Sequence, residues 1–552
     1  MRQTAKDYIN ALKDKDLSLE YTCVNALQRT PWRVNMFVVE TLRACWDSGY
    51  EWEGLPPRDN VPLPKYPFSK EPKYLNEEEK LQFKLFKSQR NKIHTFNNKS
   101  MSRRIQVERT IQLAEEYSEM EKMWYVWQLD FRGRKYPVES FLSPQNADYS
   151  KALLEFANSA TITNADEARW LAIHGANVFG VDKVSLEDRE IWAYMNVQNA
   201  VDVDNDPISN KWWQEADKPW QALAWCYEWA LYSNARQLGE PFETRLPCAS
   251  DGSCNGLQHL SAMLRDEAGG KAVNLLPSPF PQDIYKDVAN RATMLLMEAN
   301  TDLGNQLLEV GVCRKICKRP VMIVPYSGTR HSCRDYILEA LADKCKGKNP
   351  WNDDFFEPAN YLAGFVWQAI NEVIVSAHTV MDYIKSIAKL YCNVDKPFEW
   401  VTPTGLLVRQ SYSNTNKKRI ATHLSGSIVK LNYSQPIENS IDKRKSVSGS
   451  SPNLTHSLDA AALTFTVDKC LKEGVTDFAM VHDSYGTHSP NMPLLNDKLR
   501  EAFVEMYEAN DVLLNLYDYA VTSLPEGTEV PLPPSKGTLD IRKVLESDYF
   551  FA

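Results

Sequence analysis

A chain of 552 residues is long enough for three or four domain-sized units or for one large enzyme of several subdomains. Its composition, 43% hydrophobic, 24% charged and 11% aromatic, excludes a disordered, collagen-like or repeat-built chain. The net charge of −9, from 63 Lys+Arg against 72 Asp+Glu, argues at face value against a nucleic-acid partner.

Along the chain, the Pro-rich and charged stretch 55–73 reads as a linker. From Leu75 to Met123 apolar residues recur at helical spacing around a basic segment, Asn97–Arg104, which predicts two long exposed helices joined by a basic loop. Next comes WQLDFRGRKYP, where Arg132 and Arg134 stand two apart beside Asp130. In extended chain both would face one side and could track a phosphate backbone; an Asp–Arg ion pair fixing a turn is the other reading. Residues 166–235 are helical and Trp-rich, which predicts core packing. Arg245–Ser250 and Phe478–Val481 each read as an apolar strand running into an aspartate, Asp251 and Asp483. Between them, GVCRKICKRPVMIVPYSGT puts Arg314 and Lys318 on one helical face, with Tyr326 further round and Pro320 and Pro325 liable to end the helix. Residues 401–450 alternate polar and apolar around a PTG turn, as an extended hairpin does. The fold expected is α+β, helix-dominated, with a small antiparallel sheet.

Two carboxylates ending separate strands make an oxygen-only site that suits magnesium. Two ions about 3.5–4 Å apart can activate an attacking hydroxyl and stabilise a leaving pyrophosphate. Each aspartate alone reads more readily as a turn or helix-cap residue; only the pair suggests a metal site. Arg314 and Lys318 could grip a triphosphate, or form a solvated basic face. The eleven cysteines contain no C-x-x-C pair and the nine histidines no H-E-x-x-H, so neither a zinc ribbon nor a disulfide framework is indicated. No apolar run approaches the roughly 20 residues of a membrane span, and Met1–Tyr21 lacks the features of a leader. A cytoplasmic protein without a membrane partner is expected.

With these motifs in order, the sequence resembles the single-subunit RNA polymerases of phages and mitochondria. DGSCNGLQHLSAMLRDEAGGKAVNLLPS looks like that family's motif A, GVCRKICKRPVM with the following Tyr like motif B, and FAMVHDSYGT like motif C. DFRGR, IHGANVFGVDKV, PNLTHSLDAAAL and the terminal ESDYFFA match as well, from Leu27 to Ala552, closer to the phage branch. The resemblance implies a DNA-directed RNA polymerase with a right-hand fold of thumb, palm and fingers. It implies two Mg2+ ions on Asp251, Asp483 and the Gly252 carbonyl, with Lys318 and Tyr326 joining the two aspartates in catalysis. It implies nucleotide binding by Arg314, Lys318, Tyr326 and His456, the last two selecting ribose. DNA template and RNA transcript would meet Arg132, Arg134 and His482, and the end of the chain, Phe551-Ala552, would pack towards the catalytic centre. A promoter-reading loop would span about 412–436, with Lys417, Lys418 and Arg419 on it.

The implied partition is an N-terminal remnant and linker at 1–74, thumb at 75–120 and palm at 121–160. A helical aromatic insertion at 161–240, palm with motif A at 241–279, fingers at 280–456 and palm with motif C and foot at 457–552 follow. The family commonly has Gly after the motif B tyrosine, whereas here Ser327 follows. Relatives also carry an N-terminal domain ahead of the matching region, which leaves three readings: one subunit of a split polymerase with a separate N-terminal subunit or accessory initiation protein, a minimal enzyme with altered initiation, or a fragment of a longer product. Two rival readings share the two-aspartate pattern: a Pol I-type DNA polymerase and a catalytically silent nucleic-acid-binding subunit. The charge objection weakens once the cations are located. Lys80–Arg109 holds nine cations and one acid, Arg314–Arg334 six and none, and Arg409–Lys445 eight and two.

Overall fold

Asn76 starts the longest helix. Its side chain accepts the Glu79 N–H while the Glu79 carboxylate accepts the Asn76 N–H, both at 2.8 Å, and Glu77–Glu79 place acids at the positive helix end. The helix then runs without a break from Glu77 to Glu116, 40 residues or about 60 Å. The two helices expected here are one, because the basic segment 97–104 contains no Gly or Pro and charge alone does not end a helix. The Pro-rich stretch is laid along this helix. Asn97 bonds both the N–H and the C=O of Val61 at 2.9 Å, and Arg104 donates to the Pro57 carbonyl at 3.0 Å.

The computed structural model describes all residues except 1–2, 51, 53, 346–349, 352–353 and 425–426. The fold is α+β and helix-dominated, as expected. The small antiparallel sheet expected is present as the pair that carries Asp251, Cys248–Asp251 with Ser484–Thr487. Among the described residues the strands form six separate two-stranded antiparallel ribbons. The Trp-rich segment packs as core: Trp220, Trp225 and Trp229 on the helix Pro219–Leu238 are buried together with Trp213. The helix Lys443–Lys472, buried along most of its length, runs through the middle and packs on Asn255–Leu264, Val375–Asn393 and Met492–Ala509. The hairpin reading of 401–450 therefore holds only to Ile441; beyond it the chain is helical. A buried ion pair, Lys135 to Glu20 at 2.8 Å, ties the N-terminal helix Ser18–Arg29 to the strand Lys135–Pro137. Thr404 adds a bond to the same carboxylate at 2.7 Å. All eleven cysteines are free, and no helix among the described residues is long and apolar enough to cross a membrane.

Candidate active site

Asp251 ends the strand Cys248–Asp251, which pairs antiparallel with Ser484–Thr487, so Asp251 lies opposite Ser484. Asp483 is not at a strand end as the sequence suggested. It is the second residue of a tight turn, His482-Asp483, closed by Val481 N–H to Ser484 O at 2.8 Å and Ser484 N–H to Val481 O at 2.9 Å. His482 takes φ 55°, the left-handed conformation this turn needs. The Gly252 N–H donates to the Asp483 carbonyl at 3.1 Å and pins turn to strand. Both aspartates therefore open into one cleft of about 440 Å³.

The like charges push the two carboxyls apart. Burial and the neighbouring Asp251 raise the Asp483 pKa. At Asp251 desolvation by the cleft walls acts upward too, but Lys218, the Ser484 hydroxyl and Lys151 outweigh it and hold the carboxyl below its ordinary value. Two carboxylates plus the Gly252 carbonyl, which accepts the Cys254 N–H at 2.9 Å, form a hard, oxygen-only donor set with lone pairs to spare. No cluster of three or more acidic, His or Cys ligands exists among the described residues. Such a set suits magnesium, which keeps waters and shares substrate phosphates, and does not suit zinc.

The facing wall is basic. Arg314 opens the helix Arg314–Met322, and Lys318, one turn on, lines the same cleft as both aspartates. Asp283 holds the Arg314 guanidinium at 2.5 Å and the Tyr285 ring lies beneath it, 5.4 Å from its centroid. Burial and Arg314 lower the Lys318 pKa. The helix ends two residues after Pro320, and Tyr326 follows in a separate 3₁₀ turn, Val324–Tyr326. Tyr326 therefore faces the far end of the site, where its ring lies 4.8 Å from that of His456. It also meets the start of the helix after Asp251: a Cβ on Gly256 would come within 3.0 Å of Pro325 and 3.5 Å of the Tyr326 hydroxyl. A side chain there would press Pro325 back by a few tenths of an ångström, so glycine lets the two segments approach.

The DFRGR segment forms the turn between the strands Trp127–Leu129 and Lys135–Pro137, and both arginines are engaged within the protein. Arg132 is held by Asp130 at 2.5 Å and donates to His456 Nδ1 at 2.8 Å. Since arginine only donates, that His456 nitrogen accepts and the ring is neutral; burial, Arg134 and Arg132 all depress its pKa. Arg134 is paired with buried Asp459 on the central helix. The turn-fixing ion pair is thus present. His482 stacks edge-on to Tyr136 at 4.7 Å, and burial and Arg134 lower its pKa to about 4.

Lys417, Lys418 and Arg419 stand apart from the cleft. They lie on the strand Ser413–Leu424 of an exposed ribbon with Ser427–Ile441, opposite Ser434, Tyr433 and Asn432. Of the expected loop 412–436, residues 425–426 lie outside the described residues. Phe551 bridges to Gly252 and packs on Tyr485 at 5.0 Å, and the Ala552 N–H donates to the Asp251 carbonyl at 3.4 Å. The end of the chain thus lies against the aspartates. Three cleft lysines escaped the sequence reading: Lys151, Lys183 and Lys218. Lys183 lies inside the quoted IHGANVFGVDKV, a signal that could have found it; Lys151 and Lys218 carry none.

Residues 162–530 match the family model for DNA-dependent RNA polymerase. The chain is 32% identical over its whole length to the DNA-directed RNA polymerase of Enterobacteria phage K11, covering 65% of that protein, and 32% identical to T7 RNA polymerase of Escherichia phage T7, covering 66%. Against DNA-directed RNA polymerase 1, mitochondrial, of Arabidopsis thaliana it is 31% identical, covering 55%. The chain thus spans slightly under two thirds of the length of the phage relatives. The fold of helices and small antiparallel ribbons thus sets two aspartates, one ending a strand and one in the adjoining turn, across a cleft from a basic helix. With this match over most of its length, the chain belongs to the DNA-dependent RNA polymerase family, in its phage-type, single-subunit group.

Proposed function

We propose that this chain is the catalytic chain of a DNA-directed RNA polymerase, joining NTPs to an RNA 3′-hydroxyl on a DNA template during transcription of phage genes. One observation carries the reading: Asp251 and Asp483 open into a cleft whose other wall presents Arg314 and Lys318. Asp251, Asp483 and the Gly252 carbonyl would hold two Mg2+ ions, which when bound supply positive charge for the attacking hydroxyl and the departing pyrophosphate. Arg314, kept rigid by Asp283, and Lys318 bind the triphosphate and align its phosphorus with the RNA end. Tyr326 and neutral His456 bond the ribose, and a site built for that hydroxyl rejects the sugar lacking it. His482 lies at the RNA 3′ end. Arg132 and Arg134 shape the floor of the groove through Asp130, His456 and Asp459, and the ribbon bearing Lys417, Lys418 and Arg419 reaches promoter DNA.

In this reading 75–120 serves as thumb, 121–160, 241–279 and 457–552 as palm, 161–240 as an insertion and 280–456 as fingers. The setting is the cytoplasm of a bacterial host, in keeping with the phage sources of the K11 and T7 relatives. A separate subunit corresponding to the rest of those relatives is a proposed partner; adding it should raise promoter-specific initiation but not extension of a primed template. The central test is Asp483→Asn assayed on an RNA primer annealed to DNA. Loss of nucleotide addition with primer–template affinity within threefold of wild type is expected; retained synthesis refutes the mechanism.

A further inference from the structure

Lys218 is the one basic side chain among the described residues that forms an ion pair with either site aspartate. Its Nζ lies 3.2 Å from Asp251 Oδ2, whereas no basic side chain pairs with Asp483 among them. The backbone holds it there. The Lys218 N–H donates to the Val178 carbonyl at 2.9 Å, and Pro219 starts the next helix, capped by Asp148, which accepts the Trp220 N–H at 2.7 Å. The side chain reaches into the cleft with water on one side: it is 44% exposed and its carboxylate partner 57%. An ion pair this open to water is weak and easily displaced. The opposite wall carries Arg314 and Lys318, so the space between them is where a triphosphate would lie within reach of a lysine stem.

We propose that Lys218 is an exchangeable counter-ion. It neutralises Asp251 in the metal-free chain, leaves the carboxylate when a divalent cation binds there, and then contacts the terminal phosphates of the nucleotide or the departing pyrophosphate. This rests on the reading of Asp251 and Asp483 as metal-binding residues. No bond is made or broken; one cation replaces another on a carboxylate, and the ammonium finds a new anion in the same cleft. Lys218 is thus a positioning residue for Asp251 before the reaction and a phosphate contact during it.

The test measures Mn2+ binding to the full chain without nucleotide, by electron paramagnetic resonance of free Mn2+, in wild type, Lys218→Met and Lys218→Arg. Inorganic pyrophosphate is then titrated against each in the presence of Mg2+, read as inhibition of primer extension. Lys218→Met should tighten Mn2+ about threefold to tenfold, because the competing cation is gone, and weaken pyrophosphate about tenfold. Lys218→Arg should restore both. Unchanged or weaker Mn2+ binding, or unchanged pyrophosphate inhibition, overturns the proposal. Asp251→Asn and Asp483→Asn separate its failure from that of the underlying reading: if neither lowers Mn2+ binding to the wild-type chain, the metal assignment itself falls, and Lys218 with it.

Discussion

Replacing Arg134 by glutamine strands the Asp459 carboxylate, which is 2% exposed on the central helix, 325 residues away in sequence. In the native chain the guanidinium bonds both carboxylate oxygens, one of them at 3.0 Å. Removing one partner of a buried pair costs about 3–5 kcal/mol, since the other charge keeps its desolvation penalty. The urea midpoint should fall accordingly, though by less than the same loss would shift a small domain, because m grows with the surface exposed on unfolding. The pH dependence supplies a sign. Burial, against the pull of Arg134, already raises the Asp459 pKa from 3.8 to about 6. A group raised in the folded state contributes stability fully below its unfolded pKa and loses it as pH rises through the folded value. Without Arg134 the folded pKa rises further, so the loss should be large at pH 8 and shrink towards pH 5, where the carboxyl takes up a proton. The assay is urea unfolding of wild type, Arg134→Gln and Arg134→Gln with Asp459→Asn, at pH 5, 6.5 and 8, beside binding to a primer–template at low and high salt. The double variant should recover most of the loss. An unchanged midpoint at pH 8, with template binding weakened instead, refutes the ion-pair account and makes Arg134 a phosphate contact.

Lys318→Ala and Arg314→Ala should each lower kcat/KM for NTPs about 10- to 100-fold, the loss of one charge-assisted contact, with primer–template affinity unchanged in anisotropy titrations. Tyr326→Phe should reduce the preference for ribonucleotides over deoxyribonucleotides by at least tenfold while leaving kcat/KM for NTPs within about threefold, measured by single-nucleotide extension. The buried imidazoles of His174 and His259 have pKa values lowered by burial to about 4 and about 3. Groups depressed in the folded state lend stability above the unfolded value, near 6.5, that is lost as pH falls towards the folded value, here up to about 3 kcal/mol for each by pH 4. Urea midpoints should therefore drop between pH 6.5 and 4, and His259→Gln should flatten that slope.

What was legible in the sequence follows from how local each signal is. Asp251 could be placed because Arg245–Ser250 is apolar and Gly252-Ser253 breaks it at once. Asp483 could be chosen as a residue but not placed: its turn is closed locally by Val481 and Ser484, and it is brought beside Asp251 only by the pairing of Ser484–Thr487 with the distant Cys248–Asp251. The ribbon at 413–441 shows itself as alternation, whereas the long helix reads as two because a cationic run resembles a loop signal without carrying any residue that ends a helix. The arginines of DFRGR left two readings open, since their partners, Asp459 and His456, lie over 320 residues away. Lys218 had no local mark, because its meaning comes from the strand end it faces.

The serine after the motif B tyrosine shows how a departure from the family pattern can be absorbed. A glycine there would supply backbone freedom, and the backbone does ask for it: Ser327 sits at φ 59°, in the left-handed region. That conformation costs a non-glycine residue on the order of 1 kcal/mol, and the Ser327 hydroxyl is buried with no hydrogen-bond partner among the described residues. The steric demand falls on the next residue. A Cβ on Gly328 would lie 2.6 Å from the Ile323 side chain and 2.8 Å from its carbonyl, and the Gly328 N–H donates to that same carbonyl at 2.9 Å. Glycine is thus indispensable at 328 and merely preferable at 327. Pro325, seated against Gly256, fixes the other side of the tyrosine. The serine therefore raises the cost of the turn, while the Tyr326 ring lies 4.8 Å from that of His456; on the proposed reading sugar selection should be governed by that ring pair and its Arg132 support, not by the identity of residue 327.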